Sequence, residues 1–293
     1  MFLISRYFGK TKRPVGKRAY HIMNRSNRYL VKILCNIALG IGSFVILTAP
    51  VFAQTTSSNS AAAPLPITIE ADDSLEWNQT DGTYIAKGDA YVAQGQTNIS
   101  ASHIIANYST EGETRDITQV TATGSVTYIE GKNTAKGDKL DYSLTRKLYI
   151  LTGKNASVTG PKGTMTATKS ITYDSTDNNN RKVTAIGKAH YANSDGRNVF
   201  GDRLIAYISA DGALKTIDAY DNTKVITAQG TVATADKLNY IASTSMANLD
   251  GNVEIIDKEN IMRGARAEIN FDKEISKIIS SPTGKRVTGI LTP

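Results

Sequence analysis

The residues that could do chemistry in this chain are four recurring aspartates, Asp72, Asp138, Asp202 and Asp236. Paired carboxylates can act as general acid and nucleophile, as they do in glycoside hydrolysis. An active site occurs once in a chain, whereas these aspartates return in similar sequence surroundings. We therefore interpret them as turn residues or strand-start caps. No non-repeating cluster of acids or bases suggests a glycosidase.

The other reactive residue types are sparse. The chain has three histidines, His21, His103 and His190, and one cysteine, Cys35. Their spacing matches no common set of metal ligands, and Cys35 fills a place in an apolar N-terminal run. No nucleophile motif or phosphate-binding loop is present. The sequence therefore predicts a protein that is not an enzyme and has no cofactor or metal.

A short triplet of apolar residue, any residue and aromatic residue returns seven times, once in a degenerate form. The aromatic positions lie 31 to 34 residues apart, a period typical of stacked repeat architectures. The members are Leu75-Glu76-Trp77, Ala106-Asn107-Tyr108 (the degenerate one), Leu140-Asp141-Tyr142, Ile171-Thr172-Tyr173, Ile205-Ala206-Tyr207, Leu238-Asn239-Tyr240 and Ile269-Asn270-Phe271.

The elements that carry these triplets are β-strands. From Ile67 onward, apolar and polar residues alternate, and no window keeps a helical period. Each repeat holds a second strand that we expect to open at a glycine, as at Gly88, Gly124 and Gly251. Because alternation leaves one apolar face, two sheets should fold on each other. The predicted fold is all-β, an elongated antiparallel β jelly roll of about 14–16 strands, with about seven per sheet and roughly 34 Å tall.

The basic character of the chain belongs to its first 53 residues. They hold nine of the 34 Lys and Arg residues and no Asp or Glu, so residues 54–293 hold 25 basic and 27 acidic residues. The net charge of +7 is therefore no argument for nucleic-acid binding, and we expect no nucleic-acid partner.

The same 53 residues have the order of an export signal. A basic region precedes the apolar run 33–47, and Val51-Phe52-Ala53 has the small residues of a signal-peptidase site. We predict a cleaved signal peptide over 1–53, with Met23 as an alternative start, and a flexible lead-in over 54–66. A single β domain should occupy 67–293.

The repeat units resemble those of the OstA-like family, which includes the LptA-type bridge proteins of lipopolysaccharide transport. The similar stretches are ADDSLEW, AKGDKLDY, FGDRLIAY and TADKLNY, which start at Ala71, Ala135, Phe200 and Thr234. The ending GKRVTGILTP, from Gly284 to Pro293, is similar to the last strand of LptA-type proteins. The resemblance covers about residues 67–293 of this chain.

This resemblance implies a long jelly roll whose interior takes lipid acyl chains and whose ends join edge to edge with like domains. The implied ligand is lipopolysaccharide, and the implied location is the periplasm. The implied partners are an LptC-like domain of an inner-membrane complex, an LptD-like domain of an outer-membrane translocon, and further copies of the chain. Unpaired edge strands are templates for such pairing, and the expected edge residues are Ile67, Ile69, Val287, Ile290 and Leu291.

The expected lipid-contacting residues are the apolar and aromatic side chains of the triplets and of the strands beside them. They could equally fill a closed core. The full set is Leu75, Trp77, Ile104, Tyr108, Val126, Tyr128, Leu140, Tyr142, Ile171, Tyr173, Ile205, Tyr207, Leu238, Tyr240, Ile269 and Phe271.

Two other functions stay open at this point. The chain could be a related member of the same pathway, either the inner-membrane partner with its apolar run kept as an anchor or a homologue of the translocon domain. From a different class, it could be a β-solenoid protein that binds polysaccharide or acts as an adhesin.

Overall fold

The computed structural model describes residues 66–111, 115–280 and 286–292. The predicted signal peptide over 1–53, with Met23 and Cys35, lies outside the described residues, as does the predicted lead-in except for Pro66. Their limits stay predictions. The described residues begin one position before the start predicted for the β domain.

The described part of the chain is almost entirely β-strand, and every strand pairing in it is antiparallel. Eighteen strands join in one sheet, which confirms the predicted all-β jelly roll. The abundant Thr, Val, Ile and Tyr suit a pleated backbone. A short 3-10 helix spans Ala242–Thr244. The strands are β1 (Thr68–Glu70), β2 (Ser74–Asn78), β3 (Thr83–Gln94), β4 (Thr97–Tyr108), β5 (Ile117–Glu130), β6 (Asn133–Ser143), β7 (Leu148–Thr152), β8 (Ala156–Gly160), β9 (Gly163–Ala167), β10 (Ser170–Asp174), β11 (Arg181–Asn193), β12 (Asn198–Ile208), β13 (Leu214–Ile226), β14 (Val232–Ile241), β15 (Met246–Asp257), β16 (Asn260–Asn270), β17 (Ile275–Ile279) and β18 (Thr288–Ile290).

Ten of these strands are long and are divided by a bend into two halves. At the bend the pairing register shifts, as between Lys87 and Ala90 in β3. One half of each long strand lies in a first wall, wall A, and the other half lies in a second, wall B. The short strands β2, β7, β10 and β17 complete wall A, and β1, β8, β9 and β18 complete wall B.

Ten half-strands and four short strands make each wall fourteen strands wide, not the seven that we predicted. At about 4.8 Å per strand, the roll is roughly 60 Å long. The expected number was too small because the glycines do not open second strands. β3, for example, already begins at Thr83, and Gly88 lies at its bend.

The bends are built from pairs of residues with left-handed backbone. Gly88, Gly124, Gly187 and Gly251 have φ between 79° and 90°, and the residue after each also has positive φ. Glycine adopts this conformation at little cost, so the pair acts as a bulge that bends the strand while both halves stay paired. In β13 the pair is Asp221-Asn222, with φ of 59° and 52°.

The recurring aspartates lie at the intervening bends and link them to their neighbours, as their predicted structural role requires. The carboxylates of Asp138, Asp202 and Asp236 each accept a hydrogen bond from the next bend along the roll, which connects these bends in a line at its closed edge. The contacts are Asp138 Oδ2 with the Lys154 backbone N–H (3.2 Å), Asp202 Oδ2 with Asn222 Nδ2 (2.8 Å) and Asp236 Oδ2 with Asn252 Nδ2 (3.0 Å).

We expect Gly251→Ala to destabilise the protein more than Gly230→Ala does. Both glycines have positive φ, 79° and 93°, so each substitution should cost about 1 kcal/mol of backbone strain. A Cβ at Gly251 would also lie 2.2 Å from Asp236 Oδ2, whereas nothing lies within 4 Å at Gly230. Displacing Asp236 should add about 1–2 kcal/mol. Denaturant unfolding measures both, and equal losses would contradict the linked-bend account.

Candidate functional site

The interior between the two walls is an apolar wedge that runs the length of the roll. The walls meet at the bends and separate toward the opposite edge, the mouth, where hairpin turns of both walls lie. Next to the bends of wall A, alanines pair with buried leucines or isoleucines, as Ala122 does with Leu140, whereas aromatic side chains lie toward the mouth. Buried alanines at the bends include Ala86, Ala90, Ala122, Ala185, Ala189 and Ala219, whereas Tyr128, Tyr149, Tyr191, Tyr240 and Phe271 lie toward the mouth.

Fourteen of the sixteen side chains predicted to line the interior do face it. Residues that pair directly across two strands share a face of the sheet. Leu140, for example, pairs with the buried Ala122 and Leu151. The fourteen are Leu75, Trp77, Ile104, Tyr108, Val126, Tyr128, Leu140, Tyr142, Ile171, Tyr173, Leu238, Tyr240, Ile269 and Phe271.

The prediction for Ile205 and Tyr207 was wrong. Ile205 pairs with Thr184 and Asp218, and Tyr207 pairs with Lys182 and Thr216, so both lie on the outer face. Their neighbours Leu204 and Ala206 are buried instead. A shift of one residue moves every side chain of a strand to the other face.

The positions of the bend aspartates in the sequence indicate which of the residues that follow them in the strand face inward. The first inward side chain lies two positions after the aspartate in three units, at Leu140, Leu204 and Leu238. Counting two positions on from the aspartate therefore identifies the inward-facing residues of the strand. The triplet Ile205-Ala206-Tyr207 has the same pattern of residue types, but it lies one position later and faces outward.

Four tyrosines meet in the middle of the interior. Tyr142, Tyr149 and Tyr173 lie side by side on neighbouring strands of wall A, and Tyr128 reaches them from wall B. Ring centroids of Tyr142 and Tyr149 lie 3.9 Å apart in a stacked pair, and those of Tyr149 lie 6.1 Å from Tyr128 and 5.7 Å from Tyr173. We call these residues the tyrosine cluster. Tyr149 was not predicted, because no triplet marks it.

A carboxyl group lies at the mouth side of the tyrosine cluster. The Tyr128 hydroxyl donates a hydrogen bond to Glu130 Oε2 at 3.3 Å. Burial raises the pKa of Glu130 to about 7, and the hydrogen bond from Tyr128 opposes part of that shift. Burial also raises the pKa values of Tyr128, Tyr142 and Tyr149, so these phenols stay neutral at physiological pH.

Toward the end of the chain, polar contacts cross the mouth from wall to wall. Arg197, held by Asp195, donates to the Tyr240 hydroxyl at 3.2 Å, and its guanidinium lies 5.5 Å from the Phe271 ring. Cation–π and hydrogen-bond contacts of this kind fix an arginine over an aromatic surface. Arg197, Tyr240 and Phe271 line a narrow apolar slot between the walls together with Tyr191.

At the opposite end, a second aromatic group borders the mouth. Trp77 Nε1 donates to the Tyr108 hydroxyl at 2.9 Å, and Trp77 stacks on Tyr84. The Arg115 guanidinium lies 4.8 Å from the Trp77 ring. Trp77 is 43% exposed and Leu75 is 39% exposed, so the residues that the structure describes leave the apolar interior partly open at this end of the roll.

The two ends of the roll are made of strands with one partner each among the described residues. β1 and β2 pair with β3, and β17 and β18 pair with β16. The predicted edge residues Ile67, Ile69, Val287, Ile290 and Leu291 lie in or beside β1 and β18. Sequence reasoning did not identify β2 and β17 as edge strands, although the triplet Leu75-Glu76-Trp77 lies in β2; they form the corresponding edges of wall A.

Other candidate chemistry is dispersed. In the described residues, no group of three or more His, Cys, Asp or Glu side chains could hold a metal ion. His190 stacks on Phe200 at 4.2 Å and bonds to Asn198, far along the roll from His103. Within the same residues, no helix is long and apolar enough to span a membrane.

We expect Glu130→Gln to flatten the dependence of stability on pH. The folded-state pKa of about 7 lies above the ordinary value of 4.5, so the folded protein holds the proton more tightly. Stability is then fully present below about pH 4.5 and is lost as the pH rises toward about 7. Because Glu130 keeps partial solvent contact, we expect a loss of about 1–2 kcal/mol.

The measurement is denaturant unfolding of the wild type and the variant at about pH 5 and about pH 8. Glu259→Gln, at an exposed glutamate in a hairpin of the same mouth edge, is the control and should keep the wild-type slope. An unchanged slope in Glu130→Gln would contradict the burial of this carboxyl.

Comparisons with known proteins give a similar solved structure and a family model. A crystal structure described as LptH, the LptA homologous periplasmic component of the conserved lipopolysaccharide transport device from Pseudomonas aeruginosa, matches with 14% identity. The match covers 78% of this chain and 96% of that chain, with a TM-score of 0.20. No curated protein matches the sequence.

The family model described as LptA/(LptD N-terminal domain) LPS transport protein matches twice, at residues 68–179 and 175–275. The two matches together cover most of the chain and nearly all of the bent-strand roll. This protein therefore belongs to the LptA/LptD N-terminal domain family of lipopolysaccharide transport proteins.

Proposed function

We propose that the protein is a periplasmic bridge that shields lipopolysaccharide acyl chains in its interior and passes them from the inner to the outer membrane. The observation that carries this proposal is the apolar wedge, which is continuous from one end of the roll to the other. Lipid chains would enter through the mouth and lie between the walls, while the headgroup stays outside.

The free energy of burying acyl chains favours movement of a lipid along the wedge over its release into water. Each methylene group removed from water is worth about 0.8 kcal/mol, so a lipid with several chains would not leave the interior for water. Neighbouring repeats offer similar apolar surfaces, and the free energy therefore changes little between successive positions. A lipid can then move along the wedge when energy is supplied at one end.

The side chains at the mouth suit the polar part of such a lipid. Tyrosine combines an apolar ring with a polar hydroxyl, which is the pattern found where one end of a side chain is dry and the other wet. Arg115 and Arg197 hold positive charge beside aromatic rings, one in each half of the mouth. These guanidinium groups could contact lipid phosphates without entering the apolar interior.

The ends of the roll favour head-to-tail assembly of copies, or of this chain with LptC-like and LptD-like domains. Because each wall has fourteen strands of alternating direction, β17 runs opposite to β2, and β18 opposite to β1. A second copy added in the same orientation would therefore continue both walls with antiparallel pairing. The uncovered apolar surface at Leu75 and Trp77 would meet the interior of the next copy.

The register between β17 of one copy and β2 of the next can be predicted from the distance of each residue from the bend. Lys277 pairs with Glu268 on the outer face of β16, and Glu76 pairs with Ile85 on the outer face of β3. Equal depth would place Lys277 of one copy beside Glu76 of the next. Inside the wedge, Ile278 would then meet Leu75.

The cellular setting rests on the predicted signal peptide over 1–53 and on the family. A retained anchor or a role as a translocon domain is the second candidate, since the family model names the LptD N-terminal domain as well as LptA. The N-terminal sequence of the mature protein distinguishes them. A start at Gln54 supports the exported bridge, and a retained apolar run supports the anchored partner.

The direct test is photocrosslinking in cells that depend on this protein, with a benzoylphenylalanine at Tyr142 or at Asp141. Tyr142 faces the interior, and Asp141 faces outward, where it contacts Thr121 and Lys139. We expect lipopolysaccharide to be captured at 142 and not at 141. Capture at neither position in folded, exported protein would contradict the proposal.

We expect Glu76→Lys to weaken self-association, because it places like charges at the proposed joint. Cross-strand charge pairs contribute roughly 0.2–1 kcal/mol, and the variant replaces this attraction by a repulsion of similar size, so the dissociation constant should rise by about two- to thirtyfold. The double variant Glu76→Lys with Lys277→Glu should recover most of the wild-type affinity. Sedimentation over a range of concentrations measures each step, and a double variant as weak as the single one would refute this register.

A further inference from the structure

The tyrosine cluster contains a buried hydroxyl group that makes no hydrogen bond of normal geometry. Tyr142 is 4% exposed, and its hydroxyl lies beside that of Tyr149 but makes no such bond. A buried polar group without a partner costs about 1–3 kcal/mol, whereas a phenylalanine would keep the same ring stack without that cost. The Tyr142 hydroxyl is therefore a candidate to form a hydrogen bond with a bound ligand.

Other tyrosines near the mouth are partnered within the protein. The Tyr240 hydroxyl accepts from Arg197, and the Tyr108 hydroxyl accepts from Trp77. In the cluster itself, Tyr128 donates to Glu130, and Tyr173 accepts from Arg181. The tyrosines thus offer hydrogen-bonding groups along the wedge, but the buried Tyr142 hydroxyl has no hydrogen bond of normal geometry.

The depth of this hydroxyl identifies the kind of group that it could bind. Tyr142 is the last residue but one of β6, so it lies near the mouth, while Leu140 lies deeper toward the bend. Polar atoms of Glu130 and Arg181 lie beside the cluster, and alanines lie behind it. A lipid whose chains point to the bends and whose headgroup stays outside places its ester or amide linkages at this level.

We propose that the tyrosine cluster is a recognition site for the carbonyl groups that link acyl chains to a lipid headgroup, with the Tyr142 hydroxyl as hydrogen-bond donor. This inference rests on the proposed function and adds a defined binding position to it. β6, β7 and β10 are the fifth to seventh of the fourteen strands of wall A, so the site lies at the middle of the roll. A lipid would be held there in one register, on strands that all lie within the first of the two family-model matches.

The test compares two lipids that differ only in the carbonyl groups. A diacyl phosphatidylglycerol and the dialkyl ether phosphatidylglycerol of equal chain length each displace a fluorescent fatty acid from the protein. We expect the wild type to prefer the diacyl lipid by about two- to tenfold, the range that one hydrogen bond supplies. Tyr142→Phe should bind both lipids equally, with a melting temperature no lower than that of the wild type.

Tyr207→Phe is the matched control, because it removes a tyrosine hydroxyl from the outer face of wall A, away from the interior. It should keep the preference for the diacyl lipid. Equal binding of the two lipids by the wild type, or a preference that survives in Tyr142→Phe, would overturn the inference and leave the groove intact. Failure of both lipids to bind the wild type would instead count against the proposed function.

Discussion

The bend in each long strand is the constraint on which the rest of this structure depends. An antiparallel sheet of long strands would be flat or twisted, with one apolar face left open to water. Two residues of left-handed backbone in alternate strands, joined to aspartates in the strands between, fold the sheet along one line. Both apolar faces then cover each other, and the same fold that buries the core creates the wedge.

The wedge in turn dictates which side chains the interior can accept. Alanine, leucine and isoleucine fill the interior where the walls meet, and tyrosine lies where they separate, so the aromatic side chains collect away from the bend. A tyrosine near the mouth has its ring among apolar neighbours and its hydroxyl close to water. The interior therefore becomes more polar from the bends toward the mouth, as an amphipathic lipid does from its acyl chains to its headgroup.

The even number of strands in each wall connects the fold of one copy to the assembly of several. In a wall of fourteen strands of alternating direction, the first and last strands run in opposite directions. The first strand of a translated copy can therefore pair with the last strand of this wall in the antiparallel way. Nothing in the sequence repeat demands an even number. The bent strands supply ten halves to each wall, and four short strands at fixed places bring the number to fourteen.

The sequence by itself determined the fold class, the stacked period and the inward face of most strands, because alternation and a repeated triplet are local patterns. Tertiary structure decided the bend at Gly88 and its equivalents, since a turn that ends a strand and a bulge that bends it use the same residues. Pairing also decided the phase at Ile205 and Tyr207, where two adjacent registers are both apolar. The meeting of Tyr128 with Tyr149, and of Arg197 with Tyr240, required the two walls to close, because only the folded sheet brings residues so far apart in the chain into contact.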